Sequence, residues 1–225
     1  AEIMGHSSII AAQATNCSAP DTGNMGESPS CSLIMHRALN IKVLARFGTQ
    51  QQKDKYLFSL LNGETRSSFS MTEFGSESHF TMWMFITIIA SSDATNLKNT
   101  TATISGDKVT LSGHKWVSHP SRICHHPDLQ WISGAGDPRN AVHIVLAITD
   151  PSNPSPHKRY SLVLVEPKQQ GVEIVRPMMV MGYDDAPEGH CEVKYNNVKV
   201  DVETGIVGGR AGLGRGFEII QARLG

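Results

Sequence analysis

The chain has 225 residues, 40% of them hydrophobic, with 20 basic against 21 acidic side chains and a formal net charge of −1. That is enough apolar material for one or two globular cores, and so even a charge balance supplies no clustered positive field, so neither nucleic acid nor anionic lipid is expected as a partner. The longest apolar run, residues 80–90, is shorter than the ~20 residues that a bilayer crossing needs, and no membrane span is expected.

The N-terminus opens in mid-pattern at Ala1-Glu2-Ile3-Met4, without a basic leader or an Arg-rich transit peptide, and reads as the start of a fragment. Cys17, Cys31, Cys124 and Cys191 are widely spaced and form no CxxC pair. Neither a disulfide framework nor a zinc knuckle follows, and a reducing compartment fits.

From Val43 to Leu61 apolar residues recur at helical spacing, at Val43, Leu44, Phe47, Tyr56, Leu57, Leu60 and Leu61. Thr49 with Gln52 three residues on is a capping-box pattern, and Gly63 suits the left-handed C′ position. The expectation is a short helix, a break at Gly48 and a second helix. Beyond Thr100 the pattern turns to short runs rich in β-branched residues. Thr101–Ile104 and Val109–Leu111 flank a Gly106-Asp107 turn, and further runs lie at Ala141–Ile148, Tyr160–Val165, Val172–Val175 and Cys191–Tyr195. An antiparallel sandwich or barrel is expected there. The glycines of Gly212-Leu213-Gly214-Arg215-Gly216 then lead into a last helix from Phe217. They follow no early strand and no βαβ alternation is present, which argues against a dinucleotide fold.

Four ordered segments resemble the acyl-CoA dehydrogenase family, in the branch of family members ten and eleven. They are Asn16-Cys17-Ser18-Ala19-Pro20-Asp21-Thr22-Gly23-Asn24-Met25; Phe47 to Lys53, running on to Phe69-Ser70-Met71-Thr72-Glu73; Ser91-Ser92-Asp93-Ala94-Thr95-Asn96; and Trp131-Ile132-Ser133-Gly134, running on through Met181-Gly182-Tyr183-Asp184-Asp185-Ala186-Pro187 to Gly214-Arg215-Gly216-Phe217-Glu218. The resemblance implies an α+β chain: the end of an N-terminal helical domain (residues 1–66), a middle antiparallel β-barrel or sandwich that cradles a flavin (67–203), and the start of a C-terminal helical domain (204–225). It implies oxidation of an acyl-CoA to the trans-2-enoyl-CoA in fatty acid β-oxidation, FAD as the redox cofactor, electron-transfer flavoprotein as acceptor, and a homo-oligomer. The implied home is the mitochondrial matrix, with the peroxisome as the alternative.

By the same resemblance Phe69, Met71 and Thr72 line the pyrimidine side of the flavin, Trp131 packs on its ring, and Ile132 and Ser133 approach N5. Ser92 contacts the flavin or the CoA portion of the substrate. Taken singly, Met71-Thr72 reads as half-buried strand packing and Trp131 as core; the ordered set is what gives them a cofactor reading. Asp93 and Asp185 read as loop or cap carboxylates.

Residues 26–42, 74–89 and 117–130 depart from the family pattern as insertions. The ends of the first and third can be encoded as ordinary splice junctions, which makes both candidates for retained introns. His119, Cys124, His125 and His126 lie inside the third and read as a solvated loop, so no metal is expected. No catalytic residue is assigned: in the family the proton-abstracting glutamate arises beyond the position of Gly225. The competing reading is therefore a non-catalytic binding or structural fragment.

Overall fold

The computed structural model describes residues 39–73, 97, 99–115, 134–177, 179 and 189–224. Helix α1 (residues 39–47) and helix α2 (residues 50–61) form the expected pair. The break between them has a steric cause: a Cβ on Gly48 would come within 2.5 Å of the Leu44 carbonyl oxygen, which already accepts the Gly48 N–H. Thr49 and Gln52 complete the capping box, the Thr49 hydroxyl accepting from the Gln52 N–H and the Gln52 side-chain Oε1 from the Thr49 N–H. One π turn, Lys53–Leu57, interrupts α2, and Gly63 takes the left-handed conformation past its end with φ +75°. Residues 39–42, read from sequence as the tail of an insertion, are helical, and Asn40 is buried.

Strands β1 (Arg66–Ser70), β2 (Thr101–Ser105), β3 (Lys108–Lys115), β4 (Asn140–Ile148), β5 (Tyr160–Val165), β6 (Val172–Pro177) and β7 (Cys191–Asp201) make one sheet in the order β1-β4-β2-β3-β7-β6, with β5 paired to β4. It curls into a half-barrel. The Gly106-Asp107 turn joins β2 and β3 in register, Ser105 facing Lys108. Most pairings are antiparallel, but β1 runs parallel to β4. The chain between them carries the β2–β3 hairpin and returns to the end of the sheet from which β1 started, so β4 enters in the same direction.

Strands β4 and β5 are covered on both faces, and the period of two divides their side chains between two cores. Val142, Ile144, Leu146, Leu162 and Leu164 pack against helical residues Val43, Leu44, Tyr56 and Leu60 and the last helix. Val145, Ala147, Val163 and Val165 point into the curl, toward Val109, Leu111, Val193 and Val198. The last helices, α3 (Val202–Gly205) and α4 (Gly216–Leu224), supply one core each: Val202 sits inside the curl, and Ile219 and Ile220 lie with the helical layer. Among the described residues no helix is long and apolar enough to cross a membrane.

Gln52 ties helix α2 to the segment that follows β7. Its buried amide nitrogen donates to the carbonyls of Glu203, Thr204 and Ile206 at 3.2, 3.1 and 2.6 Å, and its oxygen accepts from Gly208 N–H at 3.2 Å. Gln52→Leu strands several buried groups at once and should cost about 2–4 kcal/mol of stability. Urea denaturation checks this as a lowered midpoint with an unchanged slope.

Candidate functional site

The ladder between β1 and β4 ends at the pair Ser70 and Val145, so the main chain of Met71 and Thr72 continues outside it. Directly beyond, Glu73 forms an isolated bridge with Lys115, the last residue of β3. Their side chains meet with no exposure at either, Lys115 Nζ donating to Glu73 Oε1 at 2.9 Å and to the Met71 carbonyl at 2.9 Å. The carboxylate also accepts the N–H of Thr100 and of Asn99, each at 2.8 Å. Burial pushes the Glu73 carboxyl up, but the ammonium and these N–H donors outweigh it and hold it below the usual range. Burial likewise brings the Lys115 ammonium down to about 8 against the pull of Glu73. The pair is charged at neutral pH.

Behind β1 lies a second polar group. The Tyr195 hydroxyl is 2.9 Å from Ser70 Oγ and 3.0 Å from His143 Nδ1, which joins β1, β4 and β7 inside the curl. Burial drives His143 down to about 4, with the Ala135 backbone opposing, and raises Tyr195. Both are neutral in the folded protein near pH 7.

Of the residues that the sequence assigns to a flavin site, the structure describes Phe69, Met71 and Thr72. The Phe69 and Met71 side chains face the helical core, and the Arg223 guanidinium lies 4.2 Å over the Phe69 ring. The Met71 carbonyl is held by Lys115, and Thr72 is buried at the strand tip. Ser92, Trp131, Ile132 and Ser133 lie outside the described residues, as do Asp93, Asp185 and the His119–His126 cluster. Among the described residues no group of three or more His, Cys, Asp or Glu side chains is placed to hold a metal ion.

Sequence reasoning passed over Lys115, His143, Tyr195 and Arg223. For Lys115 a signal was available: Val109, Leu111, Gly113 and Lys115 share one face of β3, so the lysine falls in the buried phase. A cavity of about 750 Å³, also unforeseen, lies between the β4–β5 connection and the start of α4, lined by Thr149, Asn153, His157, Lys158, Arg215 and Phe217 among others. The His157 and Phe217 rings meet at 4.2 Å between centroids. Arg215 is paired with Glu218, while Lys158 has no carboxylate partner among the described residues.

A curled, mostly antiparallel sheet with helices packed on its outer face and a strand tip propped by a buried ion pair defines an α+β chain of acyl-CoA dehydrogenase type. Butyryl-CoA dehydrogenase of Megasphaera elsdenii has this fold, with a TM-score of 0.63 and 23% identity over 86% of this chain and 41% of that one. No protein-family model matches the chain. Acyl-CoA dehydrogenase family member 10 of Mus musculus is 37% identical over 224 residues, 100% of this chain and 16% of that protein. Family member 11 of Gallus gallus is 37% identical over 218 residues, 96% of this chain and 22% of that protein. The chain is thus homologous to the acyl-CoA dehydrogenases along nearly its whole length, in the branch of family members 10 and 11, and spans about a fifth of the length of these relatives.

Two measurements test the site's electrostatics. Lys115→Met takes the cation away from the buried Glu73 carboxylate and should cost about 3–5 kcal/mol, most of it recovered in the double variant with Glu73→Gln. His143 has a folded pKa of about 4 against 6.5 in the unfolded chain, so its contribution is complete above pH 6.5 and is lost as pH falls toward 4, by up to about 3 kcal/mol. His143→Gln should flatten that part of a stability-against-pH curve.

Proposed function

We propose that this chain is the flavin-holding part of an enzyme that oxidises acyl-CoA thioesters to trans-2-enoyl-CoA. The observation that carries the reading is the tip of β1: Met71 and Thr72 leave the ladder, and a charged lysine backs their main chain. Backbone and hydroxyl donors at an edge suit the pyrimidine end of an isoalloxazine, where negative charge develops on reduction, and the ion pair behind them holds the segment in place. FAD, when bound, supplies the hydride-accepting chemistry.

In this reading Thr72 holds the flavin with its hydroxyl, and Phe69 and Met71 contribute main chain, since their side chains face the helical core. Lys115 and Glu73 keep that segment in place. Trp131, Ile132 and Ser133 complete the flavin contacts, and Ser92 meets the flavin or the CoA portion. The cavity beside His157, Lys158 and Arg215 suits the polar end of the thioester, because it joins a stacking surface to a lysine without a carboxylate partner. An electron-transfer flavoprotein as acceptor, a homo-oligomeric assembly, and work in fatty acid β-oxidation in the mitochondrial matrix or the peroxisome belong to the same reading.

Proton removal from the α-carbon needs a carboxylate that reaches the substrate. Glu73 is not that base: it is enclosed, ion-paired and held by two N–H donors. Glu218 is exposed and bound in a fork by Arg215 at 2.8 and 2.9 Å. In this reading the chain contributes flavin contacts, and neither Glu73 nor Glu218 serves as the base.

FAD added to the purified chain should give a yellow, saturable complex, and Thr72→Val should weaken it by about 1–3 kcal/mol through one lost polar contact. Unchanged affinity in Thr72→Val would remove Thr72 from the site. Under anaerobic conditions, short to very long acyl-CoAs should leave the bound flavin unbleached. Bleaching in step with enoyl-CoA formation would reveal a base within the chain.

A further inference from the structure

Strand β7 changes phase along its length. Cys191, Val193 and Tyr195 face into the curl at a spacing of two, and so does Val198, three residues beyond Tyr195. A regular strand would turn Tyr195 and Val198 to opposite faces. The ladder with β3 shows how both face inward: Leu111 pairs with Val198 and Gly113 with Tyr195, so two steps along β3 match three along β7. The extra residue makes a bulge at Asn196 and Asn197, and a bulge re-aims the side chains on either side of it. Asn197 takes the left-handed conformation at φ +51°, the one non-glycine residue with positive φ among the described residues, and asparagine enters that region more readily than most. The bulge is pinned on both sides. Asn197 N–H donates to Ser112 Oγ at 3.1 Å, Ser112 Oγ donates to Asn197 Oδ1 at 3.2 Å, and Asn196 N–H donates to the Gly171 carbonyl at 2.7 Å.

Tyr195 is thereby buried in the apolar cluster that holds Leu111, Val193 and Val198. Its hydroxyl meets Ser70 Oγ at 2.9 Å and His143 Nδ1 at 3.0 Å. In the order of the sheet β4, β2 and β3 separate β1 from β7, so the bond from Tyr195 to Ser70 crosses the interior of the curl. The arrangement that satisfies all three groups has Tyr195 donating to Nδ1 of the neutral imidazole and accepting from Ser70. Ser70 is also the last residue of β1 in the ladder with β4. Met71 and Thr72 therefore leave the sheet between two holds, Lys115 on the Met71 carbonyl and Tyr195 on the side chain just before it. A polar network in an apolar interior selects one geometry, because any other leaves a buried group unpaired.

We propose that Tyr195, turned inward by the bulge in β7, is a positioning residue for the flavin contacts of Met71 and Thr72. It is enclosed and acts through Ser70, fixing the direction in which the main chain leaves the ladder and so the aim of the Thr72 hydroxyl. Donors at a reacting group are effective when they are held in place beforehand, which is what a brace across the curl supplies. The proposal rests on the flavin reading above and goes beyond it by giving a role to a residue on the far side of the sheet.

The test compares FAD binding by the 225-residue chain with binding by Tyr195→Phe, Ser70→Ala and the double variant. Titration followed by flavin absorbance gives both the affinity and the spectrum of the bound flavin. Each single variant should bind FAD roughly 3- to 10-fold more weakly, and both should shift the absorption bands of the bound flavin in the same direction. The double variant should be no weaker than the weaker single one, since both substitutions remove the same bond. A residue that only stabilised the fold would lower the thermal midpoint and leave the bound flavin's spectrum alone. Parent-like affinity and spectrum in both single variants, or additive losses in the double variant, would overturn the proposal and leave the flavin reading standing. A parent chain that takes up no FAD would sink the flavin reading, and the proposal with it. If Tyr195→Phe fails to fold, Ser70→Ala decides alone: weaker binding with a shifted spectrum upholds the brace, and parent-like binding removes it.

Discussion

The buried ion pair of Glu73 and Lys115 is the constraint on which the placement of the other elements turns. It closes where three pieces of chain meet: the tip of β1, the end of β3 and the approach to β2 through Asn99 and Thr100. A charge pair without exposure is weak evidence for net stability, because desolvation consumes much of the attraction. It is strong evidence for position. An ammonium with three donors and a carboxylate with two oxygens are satisfied in few arrangements, and each wrong arrangement leaves a charge bare in the core. The pair thus fixes where the segment beyond β1 meets the end of β3, a placement that apolar packing alone would leave open.

That placement matters because β1 has little else to fix it on its inner face. Its residues there are Ser68 and Ser70, which bury almost no apolar surface. On that side β1 is held by hydrogen bonds, through Ser70 to Tyr195 and on to His143, and on the helical side by the Phe69 ring. Apolar burial drives β4 and β5 together on both faces, whereas polar geometry positions the strand that carries the candidate site. The lysine that holds the Met71 carbonyl from behind fixes the tip of this strand without apolar packing on its inner face.

Much of the fold was legible because it rests on local signals. The Thr49–Gln52 capping box, the Gly48 break, the left-handed Gly63 and the Gly106-Asp107 hairpin are each decided by a few neighbouring residues and stand as read. The parallel pairing of β1 with β4 was not legible, since it is set by how the chain returns across some seventy residues of sequence and not by either strand's composition. The candidate site divides in the same way. Met71 and Thr72 were found through motif order, but the lysine that holds the Met71 carbonyl comes from the end of β3. Lys115 could have been caught by its phase on β3, and Arg223 by its helical spacing from Ile219 and Ile220. Tyr195 and His143 look like ordinary strand residues, and only the closure of the curl brings them together.

The two buried cations make an instructive contrast. Lys115 and Arg223 reach the core by the same route, as charged residues in the apolar phase of a strand and of a helix, and burial lowers the pKa of both. Lys115 has a carboxylate and a carbonyl waiting and is sealed with no exposed surface. Arg223 has an amide oxygen and a ring face. The difference lies in what each cation does for β1. Phe69 lies on the same strand as Met71 and Thr72, so Arg223 packs over the flank of the strand whose tip carries the candidate flavin contacts, while Lys115 holds the segment just beyond that tip. A ring face and one amide oxygen position a guanidinium loosely compared with a carboxylate and a carbonyl, so the tip of β1 is fixed more tightly than its flank.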